Sequence, residues 1–142
     1  MPLDPIVQMI LDEFPQDLAD VDALTPTEFR VVYNEQTAGD PGEEVHSVEE
    51  RALVGFDGGE LLVRIFRPAD VDDPSPVTVF FHGGGWVIGN LDTHDAECRA
   101  LANRSGTVVA SVDYRLAPEH PFPAAPEDCY ACLLYTSDAA DE

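Results

Sequence analysis

The chain has 142 residues, 44% of them apolar, which suits one domain with a packed core and excludes a disordered segment. It carries 28 acidic residues against seven basic ones, for a net charge of −21, and a surface this acidic repels nucleic acid and anionic lipid. No apolar run approaches the roughly 20 residues of a membrane span, and Met1-Pro2-Leu3-Asp4-Pro5 lacks the basic start of a signal peptide, so a cytoplasmic protein is expected. The basic residues are all arginine, and this acid excess without lysine is read as adaptation to molar salt, a halophilic signature.

In chain order, Asp4-Pro5 reads as an N-cap and first helical position. Ile6, Met9, Ile10 and Phe14 follow at helical spacing until Pro15 stops them. A second helix is expected after Thr25-Pro26, with Phe29, Val32 and Tyr33 as its apolar positions. Residues 1–44 together form a helical, cap-like segment that ends in the loop Ala38-Gly39-Asp40-Pro41-Gly42. Val45 to Phe56 and Glu60 to Arg67 form an antiparallel hairpin about the turn Asp57-Gly58-Gly59. Val77 to Phe81 is a continuous apolar run, expected as a strand buried on both faces. His94 to Ser105 forms the next helix, with acids at its start, arginines nearer its end and Gly106 closing it. Cys98, Leu101, Ala102 and Ser105 share its sheet-facing side. Thr107 to Val112 is a second buried strand, so strand, helix and strand make a parallel crossover.

Asp113 to Pro123 is a loop with three prolines, which Arg115 and the acids Asp113 and Glu119 are expected to tie down by charge-assisted hydrogen bonds. A last helix is expected over Ala124 to Ala131. Cys98, Cys129 and Cys132 are read as having neither metal-ligand spacing nor a Cys-x-x-Cys redox pair, and are expected as free thiols in helices. Residues 132–142 match, residue for residue, the translation of a transposase-end sequencing adapter. They are therefore read as a non-native scar that does not continue the helix, with the parent protein running on past Ala131.

The chemistry centres on His82-Gly83-Gly84-Gly85-Trp86, directly after the apolar run of residues 77–81. Three glycines at the carboxyl end of a strand cannot serve packing. They expose backbone N–H groups to an anion, or to an oxygen that becomes one, where open α/β sheets place their ligands. A phosphate loop fits less well, because the chain has no lysine and no Gly-x-x-x-x-Gly-Lys-Ser/Thr.

This loop and the block Val112-Asp113-Tyr114-Arg115-Leu116-Ala117-Pro118-Glu119-His120-Pro121-Phe122-Pro123-Ala124-Ala125 together resemble the hormone-sensitive-lipase-like family of α/β-hydrolases over roughly residues 45–131. The resemblance implies a mixed, mostly parallel sheet with flanking helices, here truncated before the nucleophile elbow. It implies a serine carboxylesterase acting on short to medium acyl chains without metal or cofactor. It makes Gly84 and Gly85 the oxyanion donors, with Gly83 shaping the turn and His82 steadying the loop. Trp86 borders the substrate pocket or packs in the core. Asp113, Tyr114, Arg115 and Glu119 act as structural support.

No Gly-x-Ser-x-Gly occurs among the serines, which are Ser47, Ser75, Ser105, Ser111 and Ser137. The triad is therefore expected beyond the cut, and the chain alone is expected to be inactive and poorly folded. His46, His82, His94 and His120 are poor candidates for the base, and Asp113 precedes the expected elbow. The alternative is a binding protein of gibberellin-receptor type, which shares the fold and the glycine loop.

Overall fold

The computed structural model describes residues 3–13, 23–37, 39, 41–71 and 74–138. Helix α1 spans Pro5–Glu13, and the Asp4 carboxylate caps it by accepting from the Ile6 N–H at 2.8 Å. Its apolar positions Ile6 and Met9 are exposed instead of packed. The Ile10 side chain, Phe14 and Pro15 lie outside the described residues. Helix α2 spans Pro26–Thr37. Its start is a reciprocal capping box: the Thr25 N–H donates to Glu28 Oε2 at 2.8 Å, and the Glu28 N–H donates to Thr25 Oγ1 at 3.3 Å. Phe29, Val32 and Tyr33 are half-buried. Among the described residues, no helix is long and apolar enough to cross a membrane.

Strands β1 (Ser47–Val54) and β2 (Glu60–Arg67) form the expected hairpin, in register Ser47↔Arg67 to Val54↔Glu60. The Asp57 carboxylate accepts from the Gly59 N–H at 2.9 Å and holds the turn. β3 (Val77–Phe81), α3 (Asp95–Ser105) and β4 (Val108–Val112) make the parallel crossover. Gly106 closes α3 in the left-handed region at φ +66°, with its N–H bonded to Ala102 O at 2.9 Å. The sheet is mixed, in the order β1-β2-β4-β3, and β3–β4 is its one parallel pairing.

That order corrects one expectation. β4 is central and buried at all five positions, whereas β3 is a half-buried edge with Val77 48% exposed. An apolar run records that a strand meets apolar neighbours, and not where it stands in the sheet.

The core lies on both faces of the sheet. On one face Phe66 and Val109 pack against Cys98 and Ala102 of α3. Leu101 is half-buried there, and Ser105, expected on the same side, is exposed. On the other face Leu61, Val63, Ala110, Val112 and Tyr114 pack against Ala125 and Cys132 of α4. Arg64 from β2 anchors the start of α3 through Asp92 at 2.8 Å and Asp95 at 2.9 Å.

Helix α4 spans Ala124–Asp138 and so runs past Ala131, where the sequence reading ended it. No glycine or proline interrupts residues 127–138, and Cys132 is buried at 1% exposure. All three cysteines are free thiols in helices. Cys129 and Cys132 do stand at Cys-x-x-Cys spacing. Burial pushes the Cys129 thiol up to about 11 and raises Cys132 as well, the opposite of what a redox thiol needs.

Candidate active site

His82 follows β3 at the carboxyl end of the sheet's parallel pair, and the glycine loop turns away from it. The residue is 4% exposed, and its ring stacks on Tyr114 at 4.3 Å between centroids, with 11° between the planes. The Tyr114 hydroxyl donates to the His82 carbonyl at 2.5 Å. Burial pushes that phenol up to about 12, so it remains a neutral donor. His82 Nδ1 lies 2.8 Å from the Gly83 carbonyl oxygen, which can only accept, so Nδ1 carries the proton. Nε2 is then the bare nitrogen, and it is buried with no protein partner among the described residues.

This environment disfavours a charged ring. Burial, first, and the neighbouring His94 lower the His82 pKa from its ordinary 6.5, against the raising effect of the Gly83 bond. The unfolded chain therefore binds a proton at His82 more readily than the folded one. The resulting stability is fully present above about pH 6.5 and is lost as the pH falls through the depressed folded value. An NMR titration of the His82 ring is expected to give an apparent pKa below 6.5, and a value above it would contradict the buried neutral ring.

The direction of two peptide planes defines the site. Among the described residues the cis bonds are Ala117–Pro118 and Phe122–Pro123, so the loop peptides are trans and each N–H points opposite the carbonyl in its plane. The Gly83 carbonyl is held by His82 Nδ1. The Gly84 carbonyl accepts from the N–H groups of Val87 and Ile88, each at 3.1 Å. The N–H groups of Gly84 and Gly85 therefore point away from these anchors, and among the described residues neither has a protein acceptor.

Gly84 sits at φ +119°, where a Cβ would lie 2.0 Å from the Ile88 carbonyl oxygen. Gly89 sits at φ +91° with the His82 ring against it, so an added Cβ would be 2.6 Å from Nδ1. The sequence reading did not single out Gly89, although a fourth glycine so close behind the first three was the available signal. Gly83, expected to shape the turn, has no left-handed φ and open space at its Cβ position. It takes part through its carbonyl instead.

Trp86 adopts φ +62°, rare for a bulky residue, and is 64% exposed, so it is not a core residue. It lines a cleft of about 410 Å3 together with Gly85, Ala117, Phe122 and Pro126. The cleft is mainly apolar, with one wall made by the loop that carries the two free N–H groups.

The charged residues of the 113–123 loop find their partners on other elements. The Asp113 side chain is exposed, and its backbone N–H bonds Leu62 O at 3.0 Å. Arg115 pairs with neither Asp113 nor Glu119. Its Nε and Nη2 bond the buried Asp128 at 2.8 and 2.9 Å, and its Nη1 reaches Asp57 at 2.5 Å. Glu119 pairs with Arg30 of α2 at 2.7 Å. Arg30 also donates from Nε to Val87 O and from Nη2 to Ala117 O, each at 2.6 Å. Neither Arg30 nor Asp128 was expected at the site. Their signals were faint: a lone arginine on an otherwise basic-free helix, and an acid just inside the last helix.

The family described as alpha/beta hydrolase fold matches residues 78–142. The chain is 42% identical over 143 residues to carboxylesterase NlhH of Mycobacterium tuberculosis, covering 99% of this chain and 43% of that protein. It is 35% identical to an arylesterase of Saccharolobus solfataricus, covering 100% of this chain and 46% of the relative. The solved hyperthermophilic esterase of Pyrobaculum calidifontis superposes with a TM-score of 0.86 at 41% identity, over 97% of this chain and 44% of that one. The chain thus spans less than half the length of each relative. The glycine loop, the crossover that follows it and these relatives lead to one assignment: the chain belongs to the hormone-sensitive-lipase-like carboxylesterase family of α/β-hydrolases.

Proposed function

We propose that this chain supplies the oxyanion-binding loop of a serine carboxylesterase acting on esters of short to medium acyl chains. What supports this most is the pair of N–H groups at Gly84 and Gly85, freed because their partner carbonyls are held elsewhere. As a serine attacks the ester carbonyl, its oxygen takes up negative charge and settles on these donors, joined by the N–H of the residue after the nucleophile. The apolar part of the ester lies in the cleft beside Trp86 and Phe122. A histidine takes the serine proton and returns it to the leaving alcohol, and a carboxylate orients that histidine. The chain's five serines lie outside any Gly-x-Ser-x-Gly, so we place the triad in the parent protein beyond residues 1–142.

The 142-residue chain alone is then expected to give no turnover of a chromogenic butyrate ester. Hydrolysis by the purified chain that disappears on changing Gly84 would overturn that placement. A genomic reading frame with no serine elbow downstream of Ala131 would remove the esterase reading itself.

A further inference from the structure

Arg30 belongs to the helical segment before the sheet, yet its guanidinium reaches backbone atoms on both loops of the site. The side chain is 19% exposed. Nε donates to Val87 O, Nη2 donates to Ala117 O, and Nη1 and Nη2 hold the Glu119 carboxylate at 3.1 and 2.7 Å. Four bonds to three residues use the planar fork that distinguishes arginine from lysine.

The consequence follows peptide by peptide. The Val87 carbonyl and the Ile88 N–H share one plane, so holding the first fixes the direction of the second. The Ile88 N–H donates to Gly84 O at 3.1 Å. Gly84 O shares its plane with the Gly85 N–H, the outward-facing donor. The other arm closes the ring: the Ala117 N–H donates to Trp86 O at 2.8 Å, while Arg30 holds the Ala117 carbonyl. One guanidinium thus sets the Gly85 N–H through two peptide planes, and it ties the cleft wall at Ala117 to the glycine loop.

We propose that Arg30 is a positioning residue for the oxyanion loop, so that α2 governs the aim of the Gly85 donor without touching the substrate. This rests on the oxyanion reading of the loop, and the test separates the two ideas. The 15N-labelled full-length esterase proposed above, with Arg30→Met, Arg30→Lys and Glu119→Gln variants, is followed by amide hydrogen exchange and by titration with butyrate, a carboxylate of acyl size.

Arg30→Met is expected to speed exchange at Val87, Ile88 and Ala117 on the order of tenfold. It should shift the Gly85 amide resonance, weaken the butyrate response of Gly84 and Gly85, and leave Phe66 and Val109 unchanged. Arg30→Lys keeps the charge without the fork and should recover only part of each effect. Glu119→Gln should move them least, since both backbone bonds remain. Unchanged exchange at Ile88 and Ala117 in Arg30→Met overturns the proposal. So does an equal acceleration in the core, which would make Arg30 a general stabiliser. A wild-type full-length protein whose Gly84 and Gly85 ignore butyrate sinks the oxyanion reading, while the exchange data still decide the role of Arg30.

Discussion

Replacing Asp128 with alanine is expected to destabilise the folded chain by about 3–5 kcal/mol, the cost of breaking a buried charge pair from one side. Asp128 is 2% exposed and accepts three bonds from Arg115: from the backbone N–H at 3.1 Å, from Nε at 2.8 Å and from Nη2 at 2.9 Å. Alanine leaves all three donors facing a cavity. The Arg115 side chain is 23% exposed and keeps Asp57, which holds the loss toward the lower end of the range. Even so, about 3 kcal/mol is a large share of the 5–15 kcal/mol that stabilises a typical domain. Asp128→Asn retains one acceptor and should cost about 1–3 kcal/mol. Arg115→Met combined with Asp128→Leu removes both charges and should recover most of the single-variant loss. Urea unfolding of these three variants and the parent, in the full-length protein, tests this, and an alanine variant as stable as the parent would show that Arg115 finds water as good a partner.

The same pair shows which parts of the molecule could be read from the sequence. The Asp57-Gly58-Gly59 turn, the Gly106 cap and the Thr25 helix start are local, since each depends on residues within a few positions. They fell where the pattern placed them. Arg115 and Glu119 were legible as charged residues in a constrained loop, but their partners were not. Arg115 finds Asp57 across 58 positions and Glu119 finds Arg30 across 89, distances over which a sequence pattern carries no signal. The half-burial of β3 was hidden for the same reason, because strand order is a long-range property. The helix end at Ala131 failed differently. The apolar residues Leu133, Leu134 and Tyr135 continue α4 with nothing to break it, whatever the origin of residues 132–142. The glycine loop was legible in kind, since a glycine run after an apolar strand signals exposed amides. Arg30 and Gly89 left only faint marks in the sequence, a lone arginine and a fourth glycine, and what each touches is set by the fold.

Gly84→Ala is expected to have the largest effect on catalysis, a fall of about 10²–10³ in ester turnover by the full-length esterase proposed above. The added Cβ would lie 2.0 Å from the Ile88 carbonyl oxygen and 2.7 Å from its carbon. Both are backbone atoms, so no rotamer change relieves the clash. The segment from Gly84 to Ile88 must open, and the Val87 and Ile88 bonds to Gly84 O are the contacts that close it. With that carbonyl released, the Gly85 N–H loses its aim. The neighbouring glycines serve as controls because the same methyl meets different surroundings. Gly85→Ala meets no atom within 4 Å and bears only its left-handed φ of +60°, about 1–2 kcal/mol, while its N–H remains a donor. Gly83→Ala meets nothing and has no such φ, so it should act close to wild type. The expected order of loss is Gly84, then Gly85, then Gly83. Turnover measured alongside thermal midpoints would separate donor aim from general stability. A Gly84 variant that loses stability but keeps its turnover would mean the oxyanion is held by other groups, because the loop cannot accept a side chain at Gly84 and still present the Gly85 amide in the same direction.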